Sequence, residues 1–97
     1  MTAPGVLLLP GWLDSGPGHW QTRWQERHGF VRVEQHDWQR PLRGDWCARL
    51  EDVVLAQPAG RPLLLAAHSL GCLLVAWWAA HSRSAQCVAG ALLVAPP

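Results

Sequence analysis

The sequence predicts an α/β domain in which a parallel β-sheet has helices on both faces, a three-layer α/β/α arrangement. Four short apolar segments alternate with three segments whose apolar residues recur at helical spacing. Connections that contain helices force parallel strand pairing, and right-handed crossovers then place helices on both faces of the sheet. The 97 residues are 49% hydrophobic and 15% charged, which is typical of one small globular domain.

The first strand and the first helix flank a glycine-rich loop. Val6–Leu9 is a short apolar run closed by Pro10–Gly11, a pattern typical of a buried strand. The polar segment Trp12–Gly18 follows as a loop. His19–His28 carries aromatic side chains at helical spacing, and Gly29 is a residue type that commonly ends a helix.

The second strand and the second helix are predicted in the middle of the chain. Phe30–Gln35 alternates apolar and polar side chains, which suits a strand nearer the edge of the sheet. A loop, His36–Gly44, separates this strand from a helix. Asp45 is the expected N-cap of that helix, which should run through about Gln57 before Pro58–Pro62 interrupts it.

The last three elements are more apolar than the first four. Leu63–Ala67 is apolar throughout, as a central parallel strand should be. Leu70–His81 is apolar nearly all round, which predicts a buried helix. Val88–Val94 is the fourth predicted strand. Because no segment resembles a linker, residues 1–97 are expected to form a single domain.

Composition argues against several classes of function. The net charge is +1 without a basic run, so no electrostatic surface for nucleic acid or an anionic membrane is expected. Cys47, Cys72 and Cys87 are odd in number and lack a C-x-x-C pair, which disfavours a disulfide framework or a zinc site and favours a reducing cytoplasm. The N-terminus lacks signal-peptide features, and the apolar run around Cys72 is too short to cross a bilayer.

A serine lies where the third strand turns into the third helix. The pattern Ala67-His68-Ser69-Leu70-Gly71 resembles a nucleophile elbow, usually written G-x-S-x-G, with alanine at the first small position. The sharp turn requires small residues two positions before and after the serine. Its hydroxyl would then stand above the carboxyl ends of the strands, where open α/β sheets bind ligands.

The same turn predicts an oxyanion hole. The Leu70 N–H lies at the start of a helix and has no intrahelical partner. A second donor is expected from the loop after the first strand, most simply the Trp12 N–H beside Gly11. The Trp12 side chain is predicted to lie at the mouth of the substrate site.

A simpler interpretation of Ser69 remains open from these five residues alone. Serine is a favoured N-cap, and Ser-x-Gly occurs at strand–helix junctions of many nucleotide-binding folds. Nucleotide binding itself is disfavoured, because no G-x-G-x-x-G follows the first strand and no Walker lysine is present.

Four motifs follow one another along the chain: LPGWLDSGPGHWQTRW, VEQHDWQRPLRGDWCARLE, AAHSLGC and GALLVAPP. Taken together in this order, they resemble the small serine hydrolases of the α/β-hydrolase fold. Within that fold they are most similar to the group that includes retinoblastoma-binding protein nine and the bacterial YdeN-like proteins. The resemblance implies hydrolysis of ester- or amide-like bonds in small molecules, no cofactor, no metal, and Ser69 as the nucleophile. No L-x-C-x-E run supports binding to a retinoblastoma-type partner.

The order of a catalytic triad in this fold is serine, then Asp or Glu, then histidine. After Ser69 the sequence has no Asp or Glu, and His81 is its only later histidine. Twelve helical residues place His81 about 18 Å from Ser69, whereas a general base must lie roughly 3 Å from the hydroxyl. We therefore expect residues 1–97 to be the nucleophile-bearing N-terminal portion of a hydrolase, a fragment whose acid and base lie downstream and which turns over poorly alone.

The remaining histidines, aspartates and tryptophans have simpler interpretations. His68 is expected to pack or to support the elbow rather than to act as base. His19 is expected to bind loop carbonyls at a helix start, with a contribution to the pocket as the alternative. Trp20 and Trp24 are expected to form a packed helix face. The residues expected at the surface, in loops, in turns or at caps are His28, His36, Asp14, Asp37 and Asp45.

A binding module is the alternative function. The fourth strand would form a long apolar edge of the sheet, and such edges pair with other chains. Homo-oligomerisation through this edge is therefore a second expectation.

Overall fold

The structure, a computed structural model, describes residues 3–97. It alternates strands and helices in the predicted order. The elements are β1 (Gly5–Leu9), α1 (Trp20–His28), β2 (Val31–Arg32), α2 (Arg43–Leu55), β3 (Leu63–His68), α3 (Leu70–His81) and β4 (Val88–Val94), with a 3₁₀ turn at Ala85–Cys87 before the last strand.

All strand pairs in the sheet are parallel, and the strand order is β2-β1-β3-β4. The predicted parallel α/β architecture is confirmed. Because side chains alternate along a strand, Leu7 and Leu65 face one side while Val6 and Leu64 face the other. Helices α2 and α3 pack on the Leu7 side, and Trp24 of α1 lines a groove on the Val6 side.

The core lies between the sheet and helices α2 and α3. Its largest fully buried side chain is Trp46, and Leu50, Leu74 and Trp78 pack with it against the strands. Glu51 joins the two helices by accepting hydrogen bonds from the Ser82 hydroxyl, the Ser84 hydroxyl and the Trp78 indole. These hydrogen bonds, of which the one from Ser82 has the largest effect, hold the pKa of the Glu51 carboxyl below its usual range. The C-terminal end of α3, and with it the start of β4, is thereby fixed against α2.

Strand β2 is shorter than predicted. The alternating pattern predicted a strand over Phe30–Gln35, but only Val31–Arg32 is strand. The Val33 N–H still bonds to the Leu8 carbonyl. After Val33, contacts with α2 replace the hydrogen bonds between strands. The Glu34 carbonyl accepts a hydrogen bond from Arg49, and the Gln35 side chain donates one to the Trp46 carbonyl.

The predicted N-cap of α2 is wrong. The helix begins at Arg43, with Leu42 at the cap position, because the Trp46 N–H already bonds to the Leu42 carbonyl at 3.0 Å. Asp45 lies inside the first turn instead, where a carboxylate is favourable for the helix dipole.

None of the helices within residues 3–97 is long and apolar enough to cross a membrane. The thiols of Cys47, Cys72 and Cys87 are all free.

Candidate active site

Ser69 forms the one-residue turn between β3 and α3. Its backbone angles, φ 52° and ψ −118°, lie in a region that residues with a side chain rarely adopt. The strand–turn–helix context predicted for a nucleophile elbow is therefore present, and the turn is strained at the serine itself.

Ser69 is half-buried, with part of its surface exposed to solvent. It makes no cap hydrogen bond to the helix that follows, so the interpretation of Ser69 as a simple helix cap has no support in the structure. The described part of the chain also contains no buried side-chain oxygen that lacks a hydrogen-bond partner. The Ser69 Oγ has no partner among those residues, so it is not fully buried and keeps some exposure to water.

Small residues on both sides allow this turn. A Cβ on Gly71 would overlap the Leu9 carbonyl oxygen and would lie 3.0 Å from the Pro10 carbonyl oxygen. The first turn of α3 therefore packs directly on the end of β1. Ala67 is 0% exposed, so a larger side chain has no room two residues before the serine either.

Two backbone hydrogen bonds hold Ser69 in its unusual conformation. The Ser69 N–H donates to the Val94 carbonyl at the end of β4, and the Ser69 carbonyl accepts from the Cys72 N–H, both at 2.9 Å. The orientation of the serine thus depends on the adjacent strand as well as on its own helix.

Gly11, which follows β1, lies directly against the Ser69 turn. A Cβ on Gly11 would lie 3.1 Å from both the Leu70 nitrogen and the Ser69 Cβ, so the glycine leaves the Leu70 N–H uncovered. Among residues 3–97 neither the Leu70 N–H nor the Trp12 N–H is used in a hydrogen bond. The Trp12 side chain is 58% exposed and donates to the Gln39 carbonyl.

Two histidines and a tryptophan meet beside the elbow. The His68 Nδ1 accepts a hydrogen bond from the Trp20 indole at 3.2 Å, and the His19 and His68 rings meet edge to face with centroids 4.5 Å apart. Trp20 also packs on Trp24, as predicted for a helix face. The His68 ring is thus engaged by aromatic neighbours, which fits the expected packing role.

His19 is the N-cap of α1. It was expected to bind loop carbonyls, but its Nδ1 instead accepts the Gln21 N–H at 3.1 Å. Burial lowers the pKa of His19 from its ordinary 6.5, and the nearby His68 and Arg32 lower it further. The folded chain therefore favours the neutral imidazole, the form that can accept this bond.

Acidification should destabilise the chain through His19. Its pKa is lower in the folded than in the unfolded state, so its stabilising contribution is present above about pH 6.5 and is lost as the pH falls through the folded pKa. The variant His19→Asn keeps an acceptor for the Gln21 N–H but does not titrate. We expect urea unfolding midpoints measured from about pH 8 to about pH 5 to depend less on pH in this variant. The exposed-loop variant His36→Asn serves as the matched control, and equal pH dependence in the two variants would contradict the assignment.

The structure does not bring an acid or a later histidine to Ser69. His81 is exposed at the far end of α3, where its Nε2 contacts the Arg43 guanidinium at 3.0 Å. Asp37 accepts the amides of Gln39 and Arg40 in a turn, the role that was expected, whereas Asp14, expected in a turn or at a cap, pairs with Arg32 at 2.8 Å.

The described residues give little support to a cysteine nucleophile or a metal site near Ser69. Burial raises the pKa of the Cys72 thiol, which lies on the first turns of α3, and likewise that of Cys47. Thiols with raised pKa values are poor nucleophiles at neutral pH. Within residues 3–97 no group of three or more His, Cys, Asp or Glu side chains is arranged to hold a metal ion.

Sequence reasoning missed a buried polar network under the glycine-rich loop. Gln21 is fully buried, and Arg32 donates to the Asp14 carboxylate, the Ser15 carbonyl and the Thr22 hydroxyl. A signal was available, since Gln21 lies three and seven residues before Trp24 and His28 and thus on the same helix face.

Comparisons with known proteins agree with this geometry. The family model described as serine hydrolase matches residues 6–97. A crystal structure of a YdeN-like hydrolase from Pectobacterium atrosepticum superposes with a TM-score of 0.87 at 27% sequence identity, covering 97% of this chain and 49% of that one. The chain thus spans about half the length of that structure. No curated protein matches the chain significantly. The match over nearly the whole sequence shows that the chain belongs to the serine hydrolase family.

Proposed function

We propose that Ser69 is the nucleophile of a hydrolase that acts on ester- or amide-like bonds of small molecules. The observation that carries this proposal is the strained serine, φ 52° and ψ −118°, whose partly exposed hydroxyl lies between a parallel strand and a buried helix. Strain of this kind persists where the surrounding structure requires it, and it concentrates at active sites.

The reaction assigned to this site begins with attack of the Ser69 Oγ on a carbonyl carbon. The carbonyl oxygen becomes an oxyanion, and the free N–H groups of Leu70 and Trp12 are the donors that we assign to it. Gly11 keeps this space open, and Ala67, His68 and Gly71 shape the turn. The exposed Trp12 ring and His19 are the proposed borders of the substrate site, and an uncharged acyl group is the proposed substrate moiety.

The proton of the Ser69 hydroxyl needs an acceptor. We assign the general base and its acid to residues beyond this segment, so that residues 1–97 represent the nucleophile-bearing portion of an α/β-hydrolase. The lack of Asp and Glu after Ser69 and the half-length match to the YdeN-like structure support this assignment. The same match and the motif order favour the group of retinoblastoma-binding protein nine and YdeN-like proteins. The three free thiols suit a reducing cytoplasm as its location.

Labelling by a fluorophosphonate tests the nucleophile. Without a base, a serine hydroxyl keeps a high pKa and reacts slowly. We therefore expect slow labelling of the 97-residue chain, located by peptide mass spectrometry at Ser69 and lost in Ser69→Ala. Ser82→Ala is the control, because Ser82 also lies at an end of α3 but bonds to Glu51. Label spread equally over other serines would contradict the role of Ser69, and rapid Ser69 labelling would contradict the absence of a base.

Self-association through β4 is the second candidate function. The strand forms one edge of the sheet, and Leu92 and Leu93 on it are 48% and 49% exposed. An apolar groove of about 500 Å³ adjoins it, bordered by Trp24, Phe30 and Leu64. An edge strand beside an apolar groove is a favourable place for a second copy of the chain to pair.

Light scattering tests the self-association. We expect a dimer at high protein concentration, and we expect Leu92→Lys to shift it to monomer because a lysine opposes pairing at a sheet edge. Leu55→Lys changes an equally apolar residue, 65% exposed on α2, and should leave the dimer intact. A monomeric wild-type chain at high concentration would rule this candidate out.

A further inference from the structure

Gln21 is a polar side chain in an apolar setting. It occupies the second position of α1 and is 0% exposed, although glutamine is rarely buried completely. A buried carboxamide is tolerated only where its donors and acceptor are satisfied. The hydrogen-bond partners of the Gln21 side chain therefore indicate what it does in this position.

The Gln21 carboxamide joins the ends of two neighbouring strands. Its Nε2 donates to the Leu9 carbonyl at 3.0 Å and to the Ala66 carbonyl at 2.9 Å. Its Oε1 accepts the Ser15 hydroxyl at 2.5 Å. Both amide hydrogens are thus donated to main-chain carbonyls, one on β1 and one on β3. The amide oxygen accepts a hydrogen bond from the loop.

Each of the two carbonyls lies three residues before a part of the candidate site along the chain. Leu9 is the last residue of β1 and leads through Pro10 and Gly11 to the Trp12 N–H. Ala66 lies on β3 three residues before Ser69, and the register pairs Leu8 with Ala66. Because β1 and β3 already pair in the sheet, the bridge adds a side-chain link between the strand that leads to the Trp12 N–H and the strand that leads to Ser69.

We propose that Gln21 is a positioning residue that sets the spacing between the Trp12 N–H and the Ser69–Leu70 turn. The inference rests on the proposed function. Gln21 does not touch the substrate and acts through the backbone of β1 and β3. A displacement of about 1 Å in such a site lowers reaction rates by up to about a hundredfold, so loss of the bridge should be visible in the reactivity of Ser69.

The test compares two buried glutamines. Gln21→Met removes the bridge at similar volume, while Gln35→Met removes a buried amide of 9% exposure that donates to the Trp46 carbonyl away from the site. We expect both variants to lower the urea midpoint. Only Gln21→Met should slow fluorophosphonate labelling of Ser69, by roughly tenfold or more in protein that circular dichroism shows to be folded. Equal labelling rates in the two variants would overturn the proposal.

Amide NMR spectra separate this inference from the proposed function. The Trp12 and Leu70 N–H resonances should move in Gln21→Met and stay in place in Gln35→Met, whether or not Ser69 reacts with the probe. Unmoved resonances would overturn the positioning role even if Ser69 is the nucleophile. Should Gln21→Met fail to fold, Ser15→Ala replaces it, because it frees only the Oε1 and should move the same two resonances in the folded chain. Unmoved resonances in that variant would equally overturn the role.

Discussion

Replacing Gly71 with alanine should destabilise the chain more than any other single-methyl change in the elbow. The added Cβ would overlap the Leu9 carbonyl oxygen, which is backbone and cannot move aside without shifting β1. Alanine is favoured over glycine in a helix by up to about 1 kcal/mol. Overpacking typically costs about 1–3 kcal/mol, and contact with fixed backbone places this case near about 3 kcal/mol, so the steric effect dominates.

The free energy of unfolding from urea titration measures this effect. A loss of about 3 kcal/mol raises the unfolded fraction by roughly a hundredfold, a large share of the stability of a small domain. Gly44→Ala is the matched control, since it adds the same methyl group to α2 where nothing lies within 4 Å. The control should be neutral or slightly stabilising. A Gly71→Ala variant as stable as the control would show that α3 does not pack on β1 as described.

Replacing Ser69 with glycine should abolish labelling and at the same time make the chain more stable. The strained angles of Ser69 cost about 1–3 kcal/mol in a residue that has a Cβ. Glycine removes that cost but loses up to about 1 kcal/mol through its greater freedom in the unfolded state. The expected net gain is about 1 kcal/mol in the free energy of unfolding.

Ser69→Ala separates the two effects. It also lacks the hydroxyl, so it should not be labelled, but it keeps the Cβ and therefore the strain. Urea unfolding should place Ser69→Ala near the wild-type chain and Ser69→Gly above both. Equal stability of the two variants would mean that the turn stores no strain, and the structural support for a nucleophile would then be lost.

The order of the elements and the parallel sheet were predictable because apolar runs and Gly or Pro breaks separate them clearly. The strands Val6–Leu9 and Leu63–Ala67 were found within one residue at each end. Phe30–Gln35 was predicted too long, because an alternating pattern reveals which face is buried but not which backbone groups bond to a neighbouring strand. The bond from Arg49 to the Glu34 carbonyl is a tertiary contact that no local pattern reveals.

The site was predictable in part. Two small residues around Ser69 identified the turn, since steric limits at a sharp corner are local. The start of α2 was not predictable in the same way, because Asp45 has the composition of a cap while the Trp46 N–H finds its acceptor at Leu42. The contacts of Gln21 were missed because its place on the helix face can indicate burial but not which backbone carbonyls the side chain meets.

The hydrogen bond from the Ser69 N–H to the Val94 carbonyl limits when the turn at Ser69 can form during biosynthesis. The chain is synthesised from its N-terminus, so β1, β3 and α3 are made before the carbonyl that fixes the turn at Ser69. Until then the peptide around residue 69 can relax to ordinary angles. The strained geometry of Ser69 is therefore complete only once β4 has docked beside β3.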